Sequence, residues 1–222
     1  MNENLDEGAF NLDEADRLLS TTRAVRRRLD LERPVSREVV ENCIEVAMQA
    51  PIGGNVEVRR WVVVTDQGLK DQIAAHYRTA ADPYLDETFE DAYKRGDQQK
   101  LRVVASAKFL AANFERVPVF VIPCIEPGID FSDSISAVAD FASVLPGVWN
   151  FQLALRARGL GTTLTTLHLY EERAVGDLLG IPASVSQICL LPVAYTVGRN
   201  FKPAKRVDAR KVTYWNSWPT TK

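Results

Sequence analysis

Apolar residues recur every three or four positions over much of this chain, a spacing that predicts helices. The first covers Leu12, Ala15, Leu18 and Leu19, with Asn11 or Asp13 placed to cap it. Pro34 breaks the chain, and Ser36 then starts a second helix that runs to about Ala50. Its apolar positions, from Val39 and Val40 to Ala47 and Ala50, make a stripe broad enough for a buried helix. Leu69 to about Arg78, Leu101 to Phe114, a long run from Ser132 or Asp133 to Arg158, and Glu171 to Leu179 read as four more. Pro146 is expected to kink or restart the long run. Gly159 and Gly180 are expected to close the last two.

Between the helices lie short apolar runs with strand character: Trp61–Val64, Val117–Ile122 and Gln187–Ala194. Thr162–Leu167 is a threonine-rich strand candidate. Thr79 to Gln99 is polar and interrupted by Pro83 and Gly96, yet it carries Tyr84, Phe89 and Tyr93. That composition suggests a mobile lid or excursion rather than core. Residues 1–10 read as a loose, flexible acidic arm, and residues 11–222 as a single domain. The tail from Phe201 is basic at first and then aromatic, with Tyr214, Trp215 and Trp218, as expected of a segment lying on a second subunit. So few scattered strands do not make a regular doubly wound sheet.

Composition narrows the chemistry. A 222-residue chain of 46% hydrophobic residues buries roughly 70–75% of its unfolded surface and needs no disulfide or metal staple. With 27 basic against 29 acidic residues it lacks the excess of a general nucleic-acid binder. Cys43, Cys124 and Cys189 each sit in an apolar run and read as buried thiols. The acidic N-terminus is not a signal peptide, and no window is apolar enough to span a membrane, so a cytoplasmic protein is expected. No GxGxxG follows a strand, and GxxxxGK[ST], HExxH and GxSxG are missing. His76 and His168 stand far apart in sequence and read as surface or structural residues rather than metal ligands. Any reaction is therefore expected to rely on a bound cofactor.

Four motifs remain. Arg23-Ala24-Val25-Arg26-Arg27-Arg28 places four arginines in six residues. Arginine's fixed fork of donors matches phosphate oxygens, so the run faces a nucleic acid, a cofactor phosphate or the chain's own carboxylates. Ala50-Pro51-Ile52-Gly53-Gly54-Asn55 follows, just before the first strand. Arg158-Gly159-Leu160-Gly161-Thr162 comes third, and Leu179-Gly180-Ile181-Pro182 with the later Lys205-Arg206 comes fourth. In this order and spacing, from about Leu18 to Arg210, the set resembles the FMN-dependent nitroreductase family.

The resemblance implies an α+β fold: a small mixed β-sheet surrounded by helices, built as an intertwined homodimer with one FMN per interface. Residues 203–222 would then pack on the partner subunit. It implies that Arg23, Ala24 and Arg26, with Arg27 as an auxiliary, hold the FMN phosphate and ribityl chain. Lys205 and Arg206 would return to the phosphate. Pro51, Ile52, Gly53 and Asn55 would reach across the interface toward the flavin. Leu164, Thr165, Thr166 and Leu167 would lie along the ring and offer a backbone amide near N5. Residues from Tyr77 to Tyr93 would line or lid the pocket. The implied activity is reduction of FMN by NAD(P)H, then of a small aromatic acceptor such as a nitroaromatic or quinone, in ping-pong fashion with no obligatory catalytic side chain. Ala24 and Ile52 stand where the family more often has serine, and Glu57 and Arg59 where it often has Gln and Trp. The departures at Ala24, Ile52 and Glu57 keep open a specialised relative that dehydrogenates, dehalogenates or consumes flavin. A non-enzymatic nucleic-acid module using the arginine run is the alternative from another class.

Overall fold

The computed structural model describes residues 10–219, so the acidic arm lies outside the described residues except for Phe10. In chain order these residues form α1 Leu12–Thr21, α2 Arg37–Met48, β1 Arg59–Val64, α3 Gln67–Lys94, α4 Gln98–Ala111, β2 Val119–Ile125, α5 Ser134–Ala157, β3 Leu160–Gly161, α6 Glu172–Leu179, β4 Ser186–Gln187 and β5 Leu191–Tyr195. Residues 23–199 make one compact unit, and residues 10–22 together with 200–219 make another.

The sheet is ordered β1-β2-β5-β3, with β4 also paired to β2. All seven residues of β2 are buried, because both faces of the strand are covered. Val119, Val121 and Ile125 join Val40, Cys43 and Ala47 of α2 and Val144, Val148, Phe151 and Leu155 of α5 in one core. On the opposite face Phe120 packs against Phe114, which stacks on Tyr77 of α3 at 4.1 Å between centroids. The α+β class, with a small sheet between helices, is as expected. The strand directions are not mixed: every pairing of named strands among the described residues is antiparallel, because strands that run the same way, β2 with β3 and β4 with β5, are not paired to each other.

Local signals explain most boundaries. The side chains of Asn11, Asp66, Asp97 and Asp133 accept from the amides that open α1, α3, α4 and α5. Gly180 ends α6 in the left-handed conformation at φ 67°.

Four expectations need correction. Residues 79–94 are not an excursion but the second half of α3, and residues 98 and 99 open α4. The helix runs through Pro83, and Tyr77, Ala81 and Leu85 continue its buried stripe. Charged residues on the solvent face mask that spacing. Residues 162–167 are not a strand: after β3 the chain makes only a single bridge, between Thr165 and Leu190. Gln187–Ala194 divides into β4 and β5. Helix α5 is continuous past Pro146, so no restart occurs there.

Candidate active site

The arginine run is laid along the sheet margin by a buried residue on either side of Arg26–Arg28. Val25 and Leu29 are buried. The Val25 amide donates to the Thr162 carbonyl at 2.8 Å, and the Asp30 amide to the Tyr195 carbonyl at 2.8 Å. Close approach requires Gly161, where a Cβ would sit 3.0 Å from Val25 Cβ and 2.7 Å from Thr196 Cγ2. The arginines between these anchors then diverge. Arg27 donates to the Ala105 carbonyl of α4 at 3.2 Å and lies over Phe109. Arg28 donates to the Val197 carbonyl at 2.8 Å. Arg23 and Ala24 are exposed.

Arg26 alone of the run turns into a cleft of about 400 Å³. The five consecutive residues Thr163 to Leu167 form one wall, with Tyr77, Tyr84, Leu85 and Thr88 of α3 and Lys100, Val103, Val104, Ala107 and Leu110 of α4 opposite. Thus Arg26, Leu164, Thr165, Thr166 and Leu167, singled out in sequence, come together. Tyr77 and Tyr84 join them, as expected for part of the 77–93 segment. Lys100 and Thr163 were not foreseen. Lys100 fell between the segment read as an excursion, which ended at Gln99, and the helix read from Leu101, and Thr163 carries no motif of its own.

The cleft's polarity is one-sided. Its only formally charged lining residues are Arg26 and Lys100, and the remaining polar lining groups are hydroxyls. Burial holds the Arg26 guanidinium below its ordinary pKa, while the phenol of Tyr77 opposes that shift. No carboxylate pairs with Arg26 among the described residues. Burial pushes the Tyr77 phenol up, against the 3.2 Å hydrogen bond it shares with the Thr165 hydroxyl. Thr163 is 2% exposed, and its hydroxyl has no protein partner. The Thr165 amide is spent on the Leu190 carbonyl at 3.0 Å, so any backbone donor offered from this wall comes from another of its residues.

Just beyond the wall, His168 is fully buried, with neither ring nitrogen bonded to protein. Desolvation pushes it down to about 4, so it is neutral and structural at ordinary pH. His76 instead faces Glu171 at 3.7 Å. Among the described residues no cluster could hold a metal. All three cysteines are buried, and desolvation raises the thiols of Cys124 and Cys189 to about 12.

Pro51, Ile52, Gly53 and Asn55 are not in the cleft lining of their own chain. They form the turn between α2 and β1, with Gly54 at φ 59° and Asn55 at φ 54°. The Gly53 amide donates to Ser143 Oγ of α5 at 3.2 Å, and a Cβ on Gly53 would lie 2.8 Å from that oxygen. The need for glycine there is thus met within the chain. Arg59, which as a surface ion-pair partner would be unremarkable, is 4% exposed and bonded to Glu57 at 2.7 Å. Lys205 and Arg206 are exposed residues of the other unit.

The profile of the nitroreductase family matches residues 19–198. The chain belongs to that family. Membership places it among oxidoreductases, as the motif order had implied. Among curated proteins none matches it significantly. Solved structures share the nitroreductase-like fold. An iodotyrosine deiodinase bound to FMN and 3-iodo-L-tyrosine is 22% identical, with a TM-score of 0.67 over 90% of this chain and 98% of that one. A BluB-like flavoprotein from Clostridium difficile 630 is 15% identical, with a TM-score of 0.67 over 94% and 100%. The NADPH:FMN oxidoreductase of Vibrio harveyi, complexed with NAD+, is 15% identical, with a TM-score of 0.68 over 93% and 78%. No helix among the described residues is long and apolar enough to cross a membrane.

Proposed function

We propose that this nitroreductase-family protein is a homodimeric, FMN-dependent oxidoreductase that draws electrons from NAD(P)H and passes them to a small aromatic acceptor of nitroaromatic or quinone type. The observation that carries the reading is the meeting of Arg26 with Thr163–Leu167 in one cleft. The residues present fit a flavin phosphate. A half-buried guanidinium without a carboxylate is costly until an anion arrives. The unpartnered Thr163 hydroxyl lacks a hydrogen-bond partner in the same lining. Arg26 would bind the phosphate, with Arg23, Ala24 and Arg27 of the same unit as auxiliaries, and the 164–167 wall would orient the ring. When bound, FMN supplies two-electron chemistry at its ring. Tyr77 keeps its proton, since burial raises its pKa, and holds Thr165 in place.

A second subunit is supported by two features of residues 23–199. Helix α5 leaves Ile135, Val138, Leu145 and Trp149 exposed at 82%, 68%, 41% and 42%, an apolar stripe with helical spacing. The Pro51–Asn55 turn stands outside its own chain's cleft, as an arm serving the partner's flavin would. In the purified protein, denaturation should release about one FMN per chain, and NADH or NADPH should bleach the bound flavin. A colourless protein that refuses added FMN would sink the reading.

Reductive dehalogenation of an aromatic is the second reading. A deiodinase bound to FMN and 3-iodo-L-tyrosine shares this fold over 90% of the chain, which motivates it. Loss of iodide from an iodophenol under dithionite, without NAD(P)H oxidation by nitroaromatics, would select it.

A further inference from the structure

The guanidinium of Arg59 is almost sealed from solvent, with 2% of the side chain exposed, and every hydrogen bond it makes is to residues flanking the α2–β1 turn. Its Nη atoms donate to the carbonyls of Ala47 at 3.4 Å, Ala50 at 3.3 Å and Met48 at 3.1 Å, at the end of α2. The same group grips Glu57 twice, Nε to Oε1 at 3.0 Å and Nη2 to Oε2 at 2.7 Å. The Arg59 amide adds a third bond to Oε1 at 2.8 Å. One side chain therefore ties the residues just before the turn to the residue just after it. The middle is tied separately, Gly53 to Ser143, whose hydroxyl also donates to the Ala139 carbonyl at 2.9 Å. Gly147 of α5 lies against Arg59, where a Cβ would come within 3.0 Å of Nη1.

The turn held this way is strained. Asn55 is a non-glycine residue in the left-handed region at φ 54°, a conformation that persists where surroundings over-determine it. Its side chain is exposed and makes no hydrogen bond among the described residues. A buried arginine paired with an exposed glutamate, three carbonyls and a serine thus fix a residue whose own side-chain carboxamide serves nothing in its chain.

We propose that Glu57, Arg59 and Ser143 are positioning residues that hold the Gly53–Asn55 turn as a preformed arm, so that Asn55 meets the flavin bound at the partner subunit's cleft. This rests on the reading of the protein as a dimeric FMN enzyme. The pair acts through Asn55 and touches neither cofactor nor acceptor. Its effect is preorganisation: a turn already in its bound shape loses no order when flavin binds.

The test is a double-mutant cycle on FMN binding to the full-length dimer, read by quenching of flavin fluorescence and by the visible spectrum of the bound flavin. Glu57→Gln, Ser143→Ala and Asn55→Ala should each raise the FMN Kd, by about tenfold for a lost charge-assisted or positioned hydrogen bond, and should shift the bound-flavin band. Glu57→Gln or Ser143→Ala added to Asn55→Ala should weaken binding no further than about twofold, because both act through the same residue. Ser143→Ala keeps the test open if Glu57→Gln fails to fold. Additive losses would overturn the proposal, as would wild-type affinity and spectrum in the single variants. If the unaltered protein takes up no FMN, the functional reading falls and this proposal with it. If it binds FMN and the variants bind equally well, the proposal alone falls.

Discussion

Two neighbourhoods of the same unit treat buried polar groups in opposite ways. Around Arg59 every donor is used inside the chain, by Glu57 and by the carbonyls that end α2. Around the cleft Arg26 is half-buried without a carboxylate, and neither the Thr163 hydroxyl nor the His168 ring has a protein partner. A buried polar atom left unmatched costs about 1–3 kcal/mol, so folding alone does not explain the second neighbourhood. The contrast separates a brace that the chain completes by itself from a surface that a ligand completes.

The largest effect expected is at the brace. Arg59→Met leaves three carbonyls at the end of α2 without their donor and should cost about 3–5 kcal/mol of unfolding free energy in urea denaturation, at about 1–3 kcal/mol for each unmatched group. Wild-type stability in that variant would show that the pair does not hold the turn, and the contrast would vanish.

His168 tests the other side. Unfolded, its imidazole takes up a proton below about 6.5; folded, burial resists protonation down to about 4. Between those values the unfolded chain binds more protons, so stability falls as the pH falls from 6.5 to 4. The stabilisation is fully present above the unfolded value, and about 3 kcal/mol is lost across the window. His168→Leu should remove that part of the pH dependence in parallel urea titrations. An unchanged slope would mean that the ring is solvated after all.

Arg26→Ala should behave unlike Arg59→Met. The free protein should keep its stability, because an uncompensated charge is removed, while the FMN Kd rises about 10- to 100-fold. A variant that loses stability but not flavin affinity would place Arg26 with the brace rather than the cleft.

How much of this the sequence disclosed follows from the same contrast. Helix starts were legible because their caps act over three residues, as at Asn11 and Asp133. The family was legible because its motifs are local and ordered, and Arg26 and the 164–167 stretch do meet in one cleft. What escaped depends on partners distant in sequence. Ala81 and Leu85 are buried only because other elements pack over them, so the far half of α3 looked like an excursion. Thr162–Leu167 has strand-forming residues, but its only strand-like partner beyond β3 is Leu190. The burial of Arg59 escaped because the carbonyls that enclose its guanidinium lie at the end of α2.

The smallest effect expected concerns the arginine run itself. The family resemblance makes Arg27 an auxiliary to the phosphate; in the fold Arg27 faces α4, donating to the Ala105 carbonyl and lying 5.9 Å from the centre of the Phe109 ring. Arg27→Ala should therefore change FMN affinity less than about threefold, as befits an exposed cation screened by water, and weaken it further only at low ionic strength. An effect as large as that of Arg26→Ala would mean that flavin binding draws Arg27 away from α4. The cleft would then be assembled by its ligand, and the line between a finished brace and an unfinished site would have to be redrawn to include the helix that Arg27 now holds.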